Sequence, residues 1–470
     1  MELLSANSLD QQTCRRARLA RDPRFDGEFF LAVRTTGIYC RPICPARPPA
    51  EKNVSYYRLA SQAADAGYRP CLRCRPESAP GSPAWEGTTT TVDRALNLIR
   101  EGALDHGSLA DLAGRLGIGE RYLRKLFEQE LGVSPQAVAF NQRLLFAKKL
   151  LAETDMAITE IAFASGFGSV RRFNSALQEH FRLTPTQLRG RGKRGSADGT
   201  ITLQLQYRPP YDWHGVIDFF AHHEITAIEH VSANSFRRHF LSCGKPAWLE
   251  VRPVKNRPAL ALTVDLPDHR ELRSLVQRVR RMFDLDANPD IIQQSLGTST
   301  ELQPLLAQSP GSRSPGHWSL FEASVRAIVG QQVSTVAARS ICSRFASACS
   351  TGEQPTFPTA AGLAALEDSE FPMPGRRRET LQALCTAFSG REDQLTLTDL
   401  ASFKGVGPWT VAMAAIRGAG EPDVFPLGDL GLVKAWEALG GEKNALKTDC
   451  EQWSPWRSYA ANLLWRSLSQ

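Results

Sequence analysis

Between about residue 80 and residue 189 apolar side chains recur every three to four positions, as at Leu109, Leu112, Ala113 and Leu116. That spacing predicts packed amphipathic helices. Past residue 200 the period shortens to two: Ile201-Thr-Leu-Gln-Leu-Gln-Tyr and Pro258-Ala-Leu-Ala-Leu-Thr-Val-Asp-Leu alternate as strands do. From about 270 helical spacing returns and dominates, broken by Ser309-Pro-Gly-Ser-Arg-Ser-Pro-Gly. Two stretches hold no period. Arg75-Pro-Glu-Ser-Ala-Pro-Gly-Ser-Pro is too rich in proline and glycine for a helix, and Arg189 to Gly199 reads as a basic, glycine-rich linker.

The helical block repeats itself. Leu112-Ala-Gly-Arg-Leu-Gly-Ile-Gly-Glu-Arg-Tyr-Leu-Arg-Lys-Leu-Phe runs on to Ser134-Pro135, and Ile161-Ala-Phe-Ala-Ser-Gly-Phe-Gly-Ser-Val-Arg-Arg-Phe runs on to Thr184-Pro185, an offset of about 50 residues. Each copy predicts a helix, a turn at Gly117 or Gly166, and a second helix that opens on polar and basic groups. This is the helix-turn-helix layout, whose second helix enters the major groove. With Phe-x-x-x-x-Arg-Leu-Thr-Pro-Thr-Gln-Leu-Arg closing the second copy, the block resembles the AraC-type DNA-binding domain. The groove-facing residues expected are Arg121, Arg124 and Lys125 in the first copy and Ser169, Arg171, Arg172 and Asn174 in the second. Some of these are expected on phosphates or in i,i+4 surface pairs instead.

Charge sharpens this picture. Of 470 residues, 56 are Lys or Arg and 49 Asp or Glu. Residues 1–200 hold 29 basic and 21 acidic side chains; the remaining 270 hold 27 and 28. The basicity lies in the first two-fifths, which points to nucleic acid or another anionic surface as the partner of that half. The length allows about three domains of ~150 residues. No apolar run reaches the ~18–20 residues of a membrane span, and Met-Glu-Leu-Leu-Ser-Ala lacks the regions of an export signal. A soluble, cytoplasmic, nucleoid-associated bacterial protein without a membrane partner is expected.

Six of the ten cysteines are scattered, but Cys40-x3-Cys44 and Cys71-x2-Cys74 cluster in one 35-residue window. Two close pairs brought together by folding place four thiolates in tetrahedral reach, which suits one structural zinc ion per chain. The module is small for a self-sufficient core, so the metal would supply much of its folding free energy. Arg21-Asp-Pro-Arg-Phe-Asp-Gly-Glu-Phe-Phe, Thr35-Thr-Gly-Ile-Tyr-Cys-Arg-Pro-Ile-Cys, Asn53-Val-Ser-Tyr-Tyr and Ala66-Gly-Tyr-Arg-Pro-Cys-Leu-Arg-Cys closely resemble the N-terminal domain of the Ada adaptive-response family over residues 10–78. In that family the first zinc cysteine irreversibly takes a methyl group from a DNA methylphosphotriester. By position, the resemblance implies Cys40 as acceptor. Four thiolates on one dication carry a formal −2 that repels phosphates, and methylation would bring the centre to −1 and strengthen DNA binding.

The last block carries different chemistry. Phe403-Lys-Gly-Val-Gly-Pro-Trp-Thr-Val-Ala-Met-Ala is a Gly-x-Gly hairpin between helical patterns, and its glycines and the amides of the next helix can meet a phosphate. Asp423-Val-Phe-Pro-Leu-Gly-Asp429 follows, with Asp429 22 residues beyond Gly407. With Tyr207-Arg-Pro-Pro-Tyr-Asp-Trp, Phe283-Asp-Leu-Asp-Ala-Asn-Pro, Ala327-Ile-Val-Gly-Gln-Gln-Val-Ser and Trp453-Ser-Pro-Trp-Arg-Ser-Tyr-Ala, this resembles the helix-hairpin-helix glycosylases, and the AlkA alkylpurine glycosylases in particular, over 201–468.

That resemblance implies Asp429 as catalytic acid, Trp409 and Trp465 as base-pocket walls with Met413 beside them, Gln332 as DNA wedge, and Lys404, Gly405, Gly407 and Thr410 on the DNA phosphate. Asp423 is read as a solvated or capping acid. Met413 and Leu430 stand where the family has tyrosines and Gln332 where it has leucine, which touches substrate range more than reaction class. No lysine takes the Schiff-base position of bifunctional members, so a monofunctional glycosylase is expected. Some family hairpins hold a monovalent cation through backbone carbonyls, and this hairpin is a candidate for one. The Pro-Cys-His motif of the alkylguanine methyltransferase domain that usually closes Ada is missing.

Together these readings predict a multidomain α+β protein. A small zinc-bound α/β domain (8–80) precedes an all-α double helix-turn-helix domain (86–192), then an α+β N-terminal glycosylase subdomain (200–312) and an all-α helix-hairpin-helix domain (313–470). The function expected is a sensor of methylphosphotriesters that activates repair genes, with RNA polymerase as partner, and excises 3-methyladenine and 7-methylguanine type bases from duplex DNA. Two alternatives stay open: a zinc-dependent regulator whose glycosylase-like module is inactive, and repair without regulation.

Overall fold

The computed structural model describes residues 10–71, 73–74, 76, 91–105, 107–189, 199–350, 352, 354–442 and 445–468. The expected boundaries at 8, 80, 86 and 192, the first six residues and most of both linkers lie outside them. The architecture is mixed helix and sheet in two compact units. The first runs to Pro209 and takes in Asn256–Gln277 and Leu285–Asn288; the second comprises Pro210–Lys255, Arg278–Asp284 and the chain from Pro289.

In the first unit, after a helix at Gln11–Ala20, comes a four-stranded sheet built from β1 (Phe30–Val33), β2 (Ile38–Cys40), β3 (Val54–Tyr57) and β4 (Arg69–Pro70), in the order β3-β1-β2-β4. β1 pairs antiparallel with β2 and β3, while β2 and β4 run parallel with Tyr39 opposite Pro70. The parallel pairing carries both chains out of the sheet at the same end. Cys40, the last residue of β2, and Cys71, the first after β4, stand at that end.

The repeat in sequence is a repeat in structure. Helices Leu109–Arg115 and Glu120–Leu131 form the first helix-turn-helix, Ile158–Ala164 and Val170–Phe181 the second, and the 19-residue helix Pro135–Glu153 joins them. Leu109, Leu112, Ala113 and Leu116 are all buried, as their spacing requires. Leu123, Phe127 and Leu131 are buried on one second helix, and Phe173, Leu177 and Phe181 at the matching positions of the other. Gly166 has two reasons to be glycine: its φ is +79°, and a Cβ would come within 2.8 Å of the Asp105 carboxylate. Asp105 pairs with the buried Arg273 at 2.5 Å, and Arg273 also donates to Ile99 O and Gln142 Oε1. The alternating segments form an antiparallel pair, Ile201–Gln206 with Ala259–Asp265.

In the second unit the strands Glu229–Ser232, Ser235–Ser242 and Lys245–Pro253 make an antiparallel meander. The helical body packs on a core that includes Val325, Ile328, Phe345, Leu381 and Leu384. Several motifs of the sequence turn out to be braces. Asp212 caps the helix Trp213–His222 through Gly215 N and pairs with Arg466. Asp284 accepts from Ser314 N and Tyr459 Oη, and Asp423 is bound to Arg457 and Ser454 instead of standing free in solvent. Arg238 and Arg326 share Glu229 and Glu322 in a buried set of two cations and two anions. Burial pushes Glu322 up, but the two guanidinium groups outweigh it and hold it below the usual carboxylate range.

Two imidazoles lie beside this set. Burial, aided by Arg417, lowers His223 to about 3, and burial with Arg326 takes His317 well below its ordinary value. Both are neutral in the fold, whereas an unfolded chain protonates them below about pH 6.5. The unfolded state therefore binds more protons in acid, and stability falls as pH drops from 7 towards 4. Equilibrium unfolding across that range should show the slope, and His223→Gln should flatten it.

Candidate functional site

Asp429 is the N-cap of the helix Leu430–Ala438, its Oδ1 accepting from Leu432 N at 3.0 Å. The same oxygen accepts the indole N–H of Trp465 at 3.0 Å, and Oδ2 accepts that of Trp409 at 2.9 Å. All three donors are neutral, and among the described residues no cationic side chain lies within ion-pair distance of Asp429. Such donors fix a carboxylate without cancelling its charge, which leaves it able to stabilise a cation that develops nearby. Asp429 and both tryptophans are partly exposed, as a site open to a ligand requires, and Met413 is partly exposed one turn along from Trp409. Leu430, 74% exposed, holds an apolar side chain out to solvent beside the acid.

The hairpin comes from helices Leu397–Ser402 and Pro408–Ala414 joined through residues 403–407. Gly405 has φ +91°, and a Cβ there would fall 2.2 Å from Thr380 Oγ1. Thr380 in turn donates to Lys404 O at 2.8 Å. Lys404, Gly405 and Gly407 are exposed. Thr410 differs from these three: its side chain is buried, and its hydroxyl accepts from Gln331 Nε2 at 2.9 Å, so it braces the hairpin from within. Gln331 also donates to Gly405 O at 3.1 Å. The next residue, Gln332, is exposed in a left-handed turn with φ +58°, so the expected wedge projects from a turn tied to the hairpin.

Arg121 and Lys125 on one second helix, and Arg171, Arg172 and Asn174 on the other, are all exposed. Two groove candidates have other engagements. Arg124 pairs with Glu120 one turn earlier, and Ser169 caps its helix through Arg172 N at 3.3 Å.

The four clustered cysteines converge, with their sulfur atoms all within 4.8 Å of one another. Four thiols at that spacing match a tetrahedral site with metal–sulfur distances of about 2.3 Å. Cys40, Cys71 and Cys74 are buried and Cys44 is partly exposed. Crowding of the thiols sets their proton affinities: hydrogen bonding from Cys40 draws Cys44 down to about 7, and Cys44 in turn raises Cys40. Arg41 N donates to Cys74 Sγ at 3.3 Å, the kind of second contact that orients a metal-bound thiolate.

Two residues escaped sequence reasoning. Gln331 stands beside the residue selected as wedge, in Gly-Gln-Gln, and only the fold shows that it braces the hairpin. Arg417, in Ile-Arg-Gly, is buried against Trp465, with its guanidinium 5.0 Å from the ring centroid. A buried arginine in an apolar run was the available signal.

Fold and site together define a metal-binding module and tandem helix-turn-helix units joined to a helix-hairpin-helix DNA glycosylase fold. Residues 13–77 match the metal-binding domain of Ada, 112–191 a helix-turn-helix domain and 202–319 the AlkA N-terminal domain. A relative from Mycobacterium tuberculosis, described as a probable bifunctional transcriptional activator/DNA repair enzyme AlkA, is 36% identical over 481 residues, covering 98% of this chain and 97% of its own. The bifunctional transcriptional activator/DNA repair enzyme Ada of Escherichia coli is 37% identical over 37% of this chain and 48% of its own. A 3-methyladenine DNA glycosylase structure from Archaeoglobus fulgidus has the same fold over 56% of this chain and 97% of its own, at 18% identity and a TM-score of 0.50. The chain belongs to the family of bifunctional transcriptional activator/DNA repair enzymes in which an Ada-type front is joined to AlkA. These comparisons support a general function in transcriptional activation and DNA repair, and the four-cysteine cluster, inside the match to the metal-binding domain of Ada, supports a zinc site.

A chelator should remove one metal per chain and expose the amides of β1–β4 to hydrogen exchange, because so small a sheet depends on the metal for folding free energy. Protection of β1–β4 that persists after the metal has gone would contradict this dependence.

Proposed function

We propose that the protein couples two responses to alkylated DNA, and the observation that carries the excision half is the Asp429 carboxylate held between the indoles of Trp409 and Trp465. An alkylated purine is a cationic, weakly held leaving group that must be flipped from the helix and stacked on aromatic faces. Trp409 and Trp465 offer those faces, and Met413 completes a less aromatic wall. As the C1′–N bond breaks, its electron pair leaves with the base and positive charge grows on the sugar. Asp429 stabilises that charge and orients the water that completes hydrolysis. Gln332 fills the gap left by the flipped base, while Lys404 and the amides at Gly405 and Gly407 hold the backbone. Met413 and Ala414 stand near the hairpin-helix position where bifunctional glycosylases keep a Schiff-base lysine, so the product is an abasic site. The substrates are bases of the 3-methyladenine and 7-methylguanine type. A monovalent cation at the hairpin would have to share the carbonyls of Lys404 and Gly405 with Thr380 and Gln331.

The sensing half rests on Cys40, Cys44, Cys71 and Cys74, which would hold zinc and, with it bound, stay thiolate at neutral pH. Cys40 displaces the phosphotriester oxygen from the methyl carbon: a carbon–sulfur bond forms, the carbon–oxygen bond breaks, and the phosphodiester leaves with the electron pair. The centre changes from a formal −2 to −1, so its repulsion of DNA weakens. Arg121, Lys125, Arg171, Arg172 and Asn174, with the paired Arg124 and the capping Ser169, then read a promoter in adjacent major grooves, and RNA polymerase is the partner of activation.

Duplex DNA carrying 7-methylguanine tests the first half. Wild type should release the base, and Asp429→Asn should slow release roughly 10²-fold or more. Equal rates would remove Asp429 from the mechanism. For the second half, intact-mass analysis after exposure to methylphosphotriester DNA should find one added methyl group on a Cys40 peptide, with reporter transcription rising in parallel. A methyl group on Cys44 would refute the assignment.

A further inference from the structure

Behind the pocket lies a charge that the proposed chemistry leaves unused. The turn Ala415–Ala419 is π-helical, wider than the helix that leads into it, and such turns recur at functional sites. It carries Arg417 inward between two rings, with the guanidinium carbon 4.4 Å from the centroid of Phe219 and 5.0 Å from that of Trp465. Nη1 donates to Pro315 O at 2.7 Å, and Arg417 O accepts from His317 N at 2.6 Å. Among the described residues no carboxylate lies within ion-pair distance of the guanidinium. The same indole carries, at its edge, the N–H that Asp429 accepts. Trp465 thus meets a buried cation at its ring face and an anion at its N–H.

We propose that Arg417 is a positioning residue for base excision, a fixed positive charge at the base end of a pocket whose sugar end holds Asp429. The inference rests on the glycosylase reading above. Heterolysis of the glycosidic bond sends the electron pair to the purine nitrogen. The base becomes more negative by one unit and the sugar more positive by one. A cation behind the ring on which the base stacks, and an anion beside the sugar, both favour that transfer. The oxocarbenium sugar then takes its oxygen from water, and the water proton passes to solvent. The same shift of charge accompanies departure of a cationic base, which leaves neutral, and of a neutral one, which leaves with negative charge for solvent protons to quench. In the bound state, however, only the cationic base is repelled by Arg417. Arg417 therefore accelerates release of both and loosens ground-state binding of cationic lesions alone, an interaction that acts differently on ground and transition states. Burial lowers the guanidinium to about 9 against the attraction of Asp429, so it is charged at neutral pH.

Single-turnover release from duplex DNA containing either 7-methylguanine, a cationic lesion, or hypoxanthine, a neutral one, tests this with Arg417→Met, Arg417→Gln and Arg417→Lys. The neutral variants should release both bases roughly 10- to 100-fold more slowly at saturating enzyme. Half-saturation for the 7-methylguanine duplex should stay constant or fall, and Lys should restore at least part of the rate. Wild-type rates in Met or Gln would overturn the role. So would a Lys variant that keeps the wild-type thermal midpoint yet is as slow as Met, or a loss confined to weaker DNA binding. A wild-type protein that releases neither base would instead overturn the excision reading itself, and the role of Arg417 with it.

Discussion

The Asp429 carboxylate is shared among three neutral donors, the indoles of Trp409 and Trp465 and the amide of Leu432, and these come from three separate helices. Each indole is thereby fixed in orientation by the acid it helps to hold, and the acid is fixed by the helix it caps. Had either donor been an arginine or lysine, the carboxylate would be spent in an ion pair. Neutral donors give a different result: geometry is set while a full negative charge is kept for chemistry. The supporting elements follow from this need. Asp212 and Arg466 brace the helix that carries Trp465, and Gln331 and Thr410 tie the Trp409 helix to the Gln332 turn.

The buried charges of this unit are arranged on a related principle. Arg238, Arg326, Glu229 and Glu322 balance one another at a cost in desolvation that only mutual hydrogen bonding offsets. Arg417 is held differently, since the groups nearest its guanidinium are rings and a carbonyl. A buried cation with no carboxylate at ion-pair distance is expensive, and here the attraction of Asp429 offsets only part of the cost of burial.

The elements were readable from the sequence wherever one face of a repeat is buried. The spacing of Leu109, Leu112, Ala113 and Leu116 and the alternation from Ile201 each follow from a single buried face, and both appear where expected. Cys40, Cys44, Cys71 and Cys74 could be grouped from spacing because a parallel strand pair closes the gap between them. That Asp429, Trp409 and Trp465 belong together was legible only through resemblance, since nothing local marks one tryptophan apart from another. The inward turn of the Thr410 hydroxyl was not legible, because a helix start beside a glycine hairpin looks the same whichever way its hydroxyl points. Gln331 and Arg417 have contacts from distant elements, which no window of sequence contains.

Arg41, one residue beyond Cys40, carries a consequence for how the chain can be divided. Its guanidinium is buried against Asp26, Cys74 O and Gln206, while Arg208 reaches back to Asp26 O and Glu28. Cutting in the glycine-rich stretch before residue 200 would strip Asp26, Glu28 and Arg41 of partners that the far side supplies. The apparent linker is therefore not a seam. The sulfur cluster and the strand that begins at Ile201 share one set of interior charges, and a fragment holding either alone would inherit unmatched ones.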